Sequence, residues 1–294
     1  MKVFGIQQRI WRAIYPTLVY ILMSTAISLI IVVIHTVTNL DSMQLTGDVN
    51  DIERIVEVAM AYMTENALLV SLYGYIAALA VFIPIWIKTK ARYPRWNGGR
   101  LSLPVALCAV GAAIGFNMLF SVIITFTGVT ELFPSYDLVV DVVTGGSLVI
   151  QIIAVGLIAP VAEELCFRGI TMNRMSDTKI WLALSVQAVL FGILHMNIVQ
   201  GAYAALLGVF LGFLTIRYRS VIYAIIAHIA FNMYSIIIST VESELVLTIV
   251  SIVIIPVTVV SIIGLIRCKR PEPYTSPETA PAVGPRLNDT RAGM

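Results

Sequence analysis

The chain has 294 residues, of which 59% are hydrophobic and only 12% charged, with a formal net charge of +2. A soluble domain carries about 45–50% apolar and about 25% charged residues, so a chain this poor in charge cannot cover its own surface against water, and lipid must be the solvent for most of it. The small net charge, without a basic stripe interleaved with aromatics, gives no footing for a nucleic-acid partner.

In chain order, eight stretches meet or approach the roughly 20 apolar residues that a helix needs to cross the hydrocarbon core, at about 13–37, 67–87, 103–127, 149–170, 180–197, 199–216, 220–238 and 245–266. They predict an all-α polytopic bundle. The first follows a basic start (Lys2, Arg9, Arg12) and is too long for a signal-peptide core, so it reads as an uncleaved span. The fifth and sixth are separated only by Met-Asn-Ile-Val-Gln-Gly, where Gly201 permits a tight reversal.

Lys and Arg placement then sets the topology. The N-terminus is basic and should be cytoplasmic. The first loop carries Asp41, Asp48, Asp51, Glu53, Glu57 and Glu65 against the single Arg54, and should lie outside. Lys88, Lys90, Arg92, Arg95 and Arg100 place the next loop inside; Glu131, Asp137 and Asp141 place the third outside. Arg174 with Lys179, and Arg217 with Arg219, belong inside; Glu242 and Glu244 belong outside; Arg267, Lys269 and Arg270 close the last span inside. An even count of spans with both termini cytoplasmic satisfies every informative loop.

Residues 50–66 repeat Ile52, Ile55, Val56, Ala59, Met60 and Met63 at helical spacing, which predicts an amphipathic helix on the outer surface. Gly201, Ala205, Gly208 and Gly212 form a small-residue stripe that lets helices approach closely in lipid. Cys108, Cys166 and Cys268 have neither paired nor metal-ligand spacing and read as small apolar filler. The tail from Pro271 to Met294, rich in Pro, Thr, Ala and charge, is expected to be disordered. Four regions result: N-terminal spans over 1–148, a polar-bearing core over 149–238, a last span within 239–270, and a cytoplasmic tail over 271–294.

Ionisable residues inside spans are costly and by default mark a functional site. Here they are concentrated: Glu163, Glu164 and Arg168 on the fourth span, His195, one turn after Phe191, on the fifth, and His228, one turn before Asn232, on the seventh. His35, at the outer end of the first span, reads as interfacial. Glu164 and Arg168 are four apart with the acid first, the order that favours an ion pair on one helix face. Glu163 lies about 100° round the helix from that pair, without a partner on its own helix. It is suited either to taking a proton from water or to a hydrogen bond that holds the bundle together. His228 and Asn232 share a face, where they can either hold a developing oxyanion or tie helices together. At about 1.5 Å per residue, Glu163 lies roughly 10 Å and His228 roughly 12 Å from the cytoplasmic ends of their spans. His195 comes out at about 22 Å on the same rise. Either its helix starts below the cytoplasmic surface or it is tilted.

These residues resemble the CAAX protease and bacteriocin-processing family (CPBP, also called Abi), which includes the type II CAAX prenyl protease or Ras-converting enzyme. An EExxxR motif stands at Glu163-Glu164-Leu-Cys-Phe-Arg168, FxxxH at Phe191 to His195, and HxxxN at His228 to Asn232. A small-residue helix followed by a basic turn over Gly208 to Ser220 adds to the likeness, which covers about residues 149–238. The resemblance implies an intramembrane endopeptidase in which Glu163 and His195 activate water, His228 and Asn232 stabilise the oxyanion, and Glu164, Arg168 and Phe191 support the site. Its substrate would be a peptide or membrane-associated protein, as in CAAX-type or bacteriocin and pheromone processing. The enzyme would sit in the cytoplasmic (plasma) membrane, with the site opening toward the cytoplasm. No cofactor is favoured; Zn2+ held by Glu163, His195 and His228 is the alternative, although no HExxH is present. A non-catalytic immunity, regulatory or scaffold protein of the same family is the competing function. A proton-coupled transporter ranks below both, because the two halves show no internal repeat.

Overall fold

The computed structural model describes residues 2–269 except 44, 46, 49 and 98, so the expected disordered tail and Arg270 lie outside the described residues. The described chain is helical, with no strand. Its helices are α1 (Lys2–Thr38), α2 (Asn50–Glu65), α3 (Ala67–Arg92), α4 (Leu103–Thr127), α5 (Ser135–Thr144), α6 (Leu148–Met172), α7 (Ile180–Leu194), α8 (Ile198–Tyr218), α9 (Val221–Ile238) and α10 (Glu244–Arg267). Among the described residues, seven helices are long and apolar enough to cross a membrane: α1, α3, α4, α6, α8, α9 and α10. The remaining expected span, the fifth, is α7, which has 15 residues. At about 1.5 Å per residue it is some 22 Å long, short of a hydrocarbon core of about 30 Å.

The basic loops meet at one end of the bundle. Arg95 Nη1 donates to Ser176 O, Arg219 Nε donates to Arg95 O (2.9 Å), and Arg217 Nε donates to Leu265 O (2.9 Å). Asn97 Nδ2 donates to Asn173 Oδ1 at 2.9 Å. Guanidinium groups thus staple the turns after α3, α6, α8 and α10 through backbone carbonyls, which lack covalent neighbours to donate to them at helix ends. The opposite, acidic end is tied by Asn197 Nδ2 donating to Ser135 Oγ (3.2 Å) and by Gln151 Nε2 donating to Thr144 O (2.7 Å). The latter bond fixes the end of α5 to the start of α6.

Among the described residues, apolar side chains fill the bundle in three clusters, a small one around Trp96, Met172 and Met175 and two larger ones. One joins α4, α8, α9 and α10 around Phe120, Leu211 and Phe231; the other joins α1, α3, α6 and α7 around Tyr20, Phe82, Phe167 and Phe191. The small-residue stripe of α8 packs on α7 as expected. A Cβ added at Gly208 would stand 3.1 Å from Ala188 Cα, and one at Gly201 would stand 2.8 Å from Gly192 O. Gly201 therefore lies within α8 and serves close approach rather than the reversal expected of it. Met196 makes that reversal with φ 49°, and Asn197 caps α8 by accepting from Val199 and Gln200 N–H at 3.1 Å each.

His35 lies in the last turn of α1. Its ring stacks on Tyr62 of α2 with centroids 3.7 Å apart. Ile52, Val56, Met60 and Met63 leave α2 with an exposed apolar face, which is the surface an interfacial helix turns to lipid.

Candidate active site

The site lies at the seam of the two larger apolar clusters, and α6 presents most of it. This helix is not a uniform α-helix: Ile152–Ile158 and Leu165–Met172 wind in wide i→i+5 turns. In the first of these, Ala159 N–H donates to Ala154 O. The donor for Val155 O in that register is residue 160, which is proline and has no N–H. Asn232 on α9 fills the gap, its Nδ2 donating to Val155 O at 2.8 Å. Asn232 is thereby held against α6. A carboxamide has two N–H donors, and the Asn232 side chain also lines the cavity beside the site.

The i,i+4 ion pair forms as the spacing predicts. Arg168 Nη1 donates to Glu164 Oε1 at 2.7 Å with both side chains fully buried. The same Oε1 atom lies 2.8 Å from His228 Nδ1, while His228 Nε2 stands 3.7 Å from Glu163 Oε2. One imidazole therefore sits between the two carboxylates. Arg168 fixes Glu164, and Glu164 fixes the plane and direction of the His228 ring. Phe191 is the post around which this is built: its ring lies 4.5 Å from the Arg168 guanidinium carbon, 4.9 Å from the His195 ring and 5.6 Å from the His228 ring.

The position of His195 follows from the antiparallel run of α6 and α7. Phe191 lies beside Arg168, so one turn further along α7 brings His195 up toward the level of Glu163 and Glu164, one turn before Arg168 on α6. Of the two readings left open by its depth, this supports a helix that begins lower than the end of α6. His195 Nδ1 lies 2.8 Å from Phe191 O. A carbonyl can only accept, so Nδ1 carries the proton and Nε2 is left as an acceptor. His195 and Glu163 do not pair directly; they line the same space.

That space consists of two cavities that meet at Glu163, His195 and Tyr75. One, of about 320 Å³, is walled by α3, α4, α6, α8 and α9 and includes Asn117, Asn232 and Ser235. The other, of about 480 Å³, lies between α1, α3 and the α7–α8 turn and includes Ser24 and Ser71. Val139, Val142 and Val143 of α5 line both, so α5 roofs the site. The cavities extend from Glu163 toward the acidic end, past Ser235 and Ser239 of α9 and Thr144. Toward the basic end the space is closed by Arg168, Phe167 and Phe191, all fully buried. This differs from the expected opening on the basic, cytoplasmic side. Lys and Arg placement reports which end of a helix faces which compartment, and says nothing about where the bundle leaves free volume.

The expected zinc alternative finds little support in the donor geometry. Among the described residues, no three His, Cys, Asp or Glu side chains come close enough to share an ion. Glu163, His195 and His228 line one cavity without forming such a group.

Tyr75, Asn117 and Gln151 are site residues that the motif pattern passed over. Asn117 is buried and donates to Phe231 O at 3.1 Å, on the α9 turn that carries Asn232. The signal available was their polarity inside apolar spans.

Residues 145–234 match the family described as type II CAAX prenyl endopeptidase Rce1-like. The match holds every residue of the Glu163, Glu164, Arg168, Phe191, His195, His228 and Asn232 set. No curated protein and no solved structure is similar enough to the chain to count as a match.

Proposed function

We propose, on the premise that this multi-pass membrane protein carries an Rce1-like domain over residues 145–234, that it is an intramembrane endopeptidase whose own side chains activate water. The observation that carries the reading is the chain Arg168–Glu164–His228–Glu163, with His195 Nε2 free on the same cavity. Water held between Glu163 and His195 gives up a proton as its oxygen attacks the scissile carbonyl. His228, doubly protonated with Nδ1–H on Glu164 and Nε2–H toward the site, and Asn232, through its second N–H, hold the oxyanion. The proton then passes to the amide nitrogen as the C–N bond breaks. Glu164, Arg168 and Phe191 position these groups and do not touch substrate.

The substrate is a peptide or a segment of a membrane-associated protein. It reaches Glu163 beneath α5 from the acidic end, with chain lying in both cavities on either side of the scissile bond. With the basic end cytoplasmic, as the loop charges support, the site is served from the outer face of a cytoplasmic membrane. The test is cleavage of a peptide library by the purified protein in nanodiscs. Glu163→Ala and His228→Ala should each abolish products while the proteins elute and melt as folded. Full activity in both variants would overturn the mechanism.

A further inference from the structure

We infer that a cavity at the basic end is a binding site for a phosphate group, carried by an acidic phospholipid or free in solution. The cavity, about 280 Å³, lies between the ends of α1 and α3 and the turn after α6. Its wall carries Arg12, Lys88, Arg92 and Arg174, and among the described residues no carboxylate lines it. The nearest acid along the chain, Asp177, lies outside the lining.

Other arginines at this end are spent on the fold, as Arg95, Arg217 and Arg219 bond to backbone carbonyls. Those of the cavity are held differently. The Arg174 guanidinium lies 4.8 Å over the Tyr15 ring, and Arg92 lies 5.7 Å over Tyr93. Stacking on a ring fixes the plane of a guanidinium and leaves its N–H edge for an acceptor. Arg174 Nη1 is buried and has no hydrogen-bond partner among the described residues. A buried donor of that kind calls for an acceptor. Burial, and then the charge of Arg12, push the Arg174 guanidinium below its usual range, so the like charges feel one another without a compensating acid. Four gathered cations repel, and an anion seated among them converts that repulsion into attraction.

A phosphate meets these demands. It accepts from the Arg174 fork in a bidentate manner and takes Lys88 as a point charge. The location suits a lipid headgroup, since Arg12 opens the first span, Lys88 and Arg92 close the second, and basic pockets between spans bind acidic headgroups. The site also reaches the catalytic helix. Asn173, next to Arg174, donates to Arg168 O at 2.9 Å and to Gly169 O at 3.1 Å, so a ligand on Arg174 steadies the end of α6. The inference does not depend on the endopeptidase reading.

The test follows thermal unfolding of the purified full chain in neutral detergent, titrated with short-chain phosphatidylglycerol, short-chain phosphatidylcholine or inorganic phosphate. A saturable upward shift with phosphatidylglycerol and none with phosphatidylcholine is expected. Arg174→Gln should weaken the midpoint about tenfold, the loss of one charge-assisted pair. Arg267→Gln, an exposed charge at the same end, should leave it unchanged. An equal shift with inorganic phosphate at the same midpoint would assign the site to free phosphate, and a lipid-only shift to a headgroup. If Arg174→Gln does not fold, Lys88→Gln, on an exposed side chain, replaces it with the same expectation. Absence of any shift with either anion, or equal weakening by Arg267→Gln, overturns the site.

Discussion

Replacing Glu164 by glutamine keeps the shape of the side chain and removes its charge, and this is the sharpest probe of how the site is held. Glu164 and Arg168 are both fully buried and 2.7 Å apart. Removing one partner of such a pair leaves the other charge uncompensated, at a cost of about 3–5 kcal/mol. Arg168 keeps the face of Phe191 at 4.5 Å, a cation–π contact of up to about 2 kcal/mol when desolvated. Glu164→Gln should therefore lose about 3 kcal/mol, at the low end of the range. Removing both charges together should recover most of that loss, because a buried pair replaced by apolar groups of similar volume is often close to neutral. Equilibrium unfolding of Glu164→Gln, Arg168→Met and the double variant in bicelles measures the cycle, which should show strong non-additivity. Activity should behave differently, staying low in all three, since His228 Nδ1 has lost its anionic partner in each variant that changes Glu164 and its orientation in the third. The reasoning is refuted if Glu164→Gln costs under about 1 kcal/mol or if the two single losses simply add.

Asn232→Leu should cost about 1–3 kcal/mol by leaving Val155 O without a donor; in a Pro160→Ala background, where residue 160 regains its N–H, the same substitution should cost markedly less, and unfolding of the four proteins reads the difference. Gly208→Ala should destabilise by about 1–3 kcal/mol, since its Cβ would stand 3.1 Å from Ala188 Cα and 3.3 Å from Arg168 Nη2; an unchanged melting curve would mean that α7 and α8 pack less closely than described. Access from the acidic end predicts that Ser239→Cys in a cysteine-free background reacts with an impermeant maleimide added outside intact cells, whereas Lys179→Cys reacts only after permeabilisation. The reverse pattern would place the mouth of the cavity in the cytoplasm.

Sequence and structure agree where the governing interaction is local. Helical spacing alone brings Glu164 onto Arg168, and the positions of Lys and Arg alone bring the turns carrying Arg95, Arg174 and Arg219 to one end. The amphipathic helix over Asn50–Glu65 follows from periodicity in the same way. What stayed illegible depends on pairing between helices. His228 and Asn232 share a face, but that face meets α6 in a register that no sequence spacing encodes, and the register decides that His228 bridges the two glutamates while Asn232 meets Val155. The acidic third loop, with Glu131, Asp137 and Asp141, contains α5, and the roof over the cavities is set by how that helix lies across the bundle. The one clue in plain view was Pro160, whose missing N–H required a donor from elsewhere.

Three departures from regular structure converge on one place. α6 winds in wide turns on both sides of Glu163, Pro160 withholds a donor from Val155, and α7 stops at 15 residues and reverses through the left-handed Met196. Each is costly in a bilayer, where backbone groups must find partners within the protein and irregular backbone survives only beside protein or a cavity. Each also does something that a regular helix does not. Between the wide turns, the α-helical segment Ala159–Glu164 sets Glu163 and Glu164 against opposite nitrogens of one imidazole. The orphaned carbonyl holds Asn232 on the cavity wall. The early end of α7 stops His195 at the depth of the glutamates, with its Nε2 free; at full membrane length that helix would continue past them. Local rules are broken in natural proteins chiefly where function requires it, and here the breaks surround a single set of seven side chains. That coincidence supports a reactive site over a merely cohesive one, because interhelical glue needs hydrogen bonds but no such geometry.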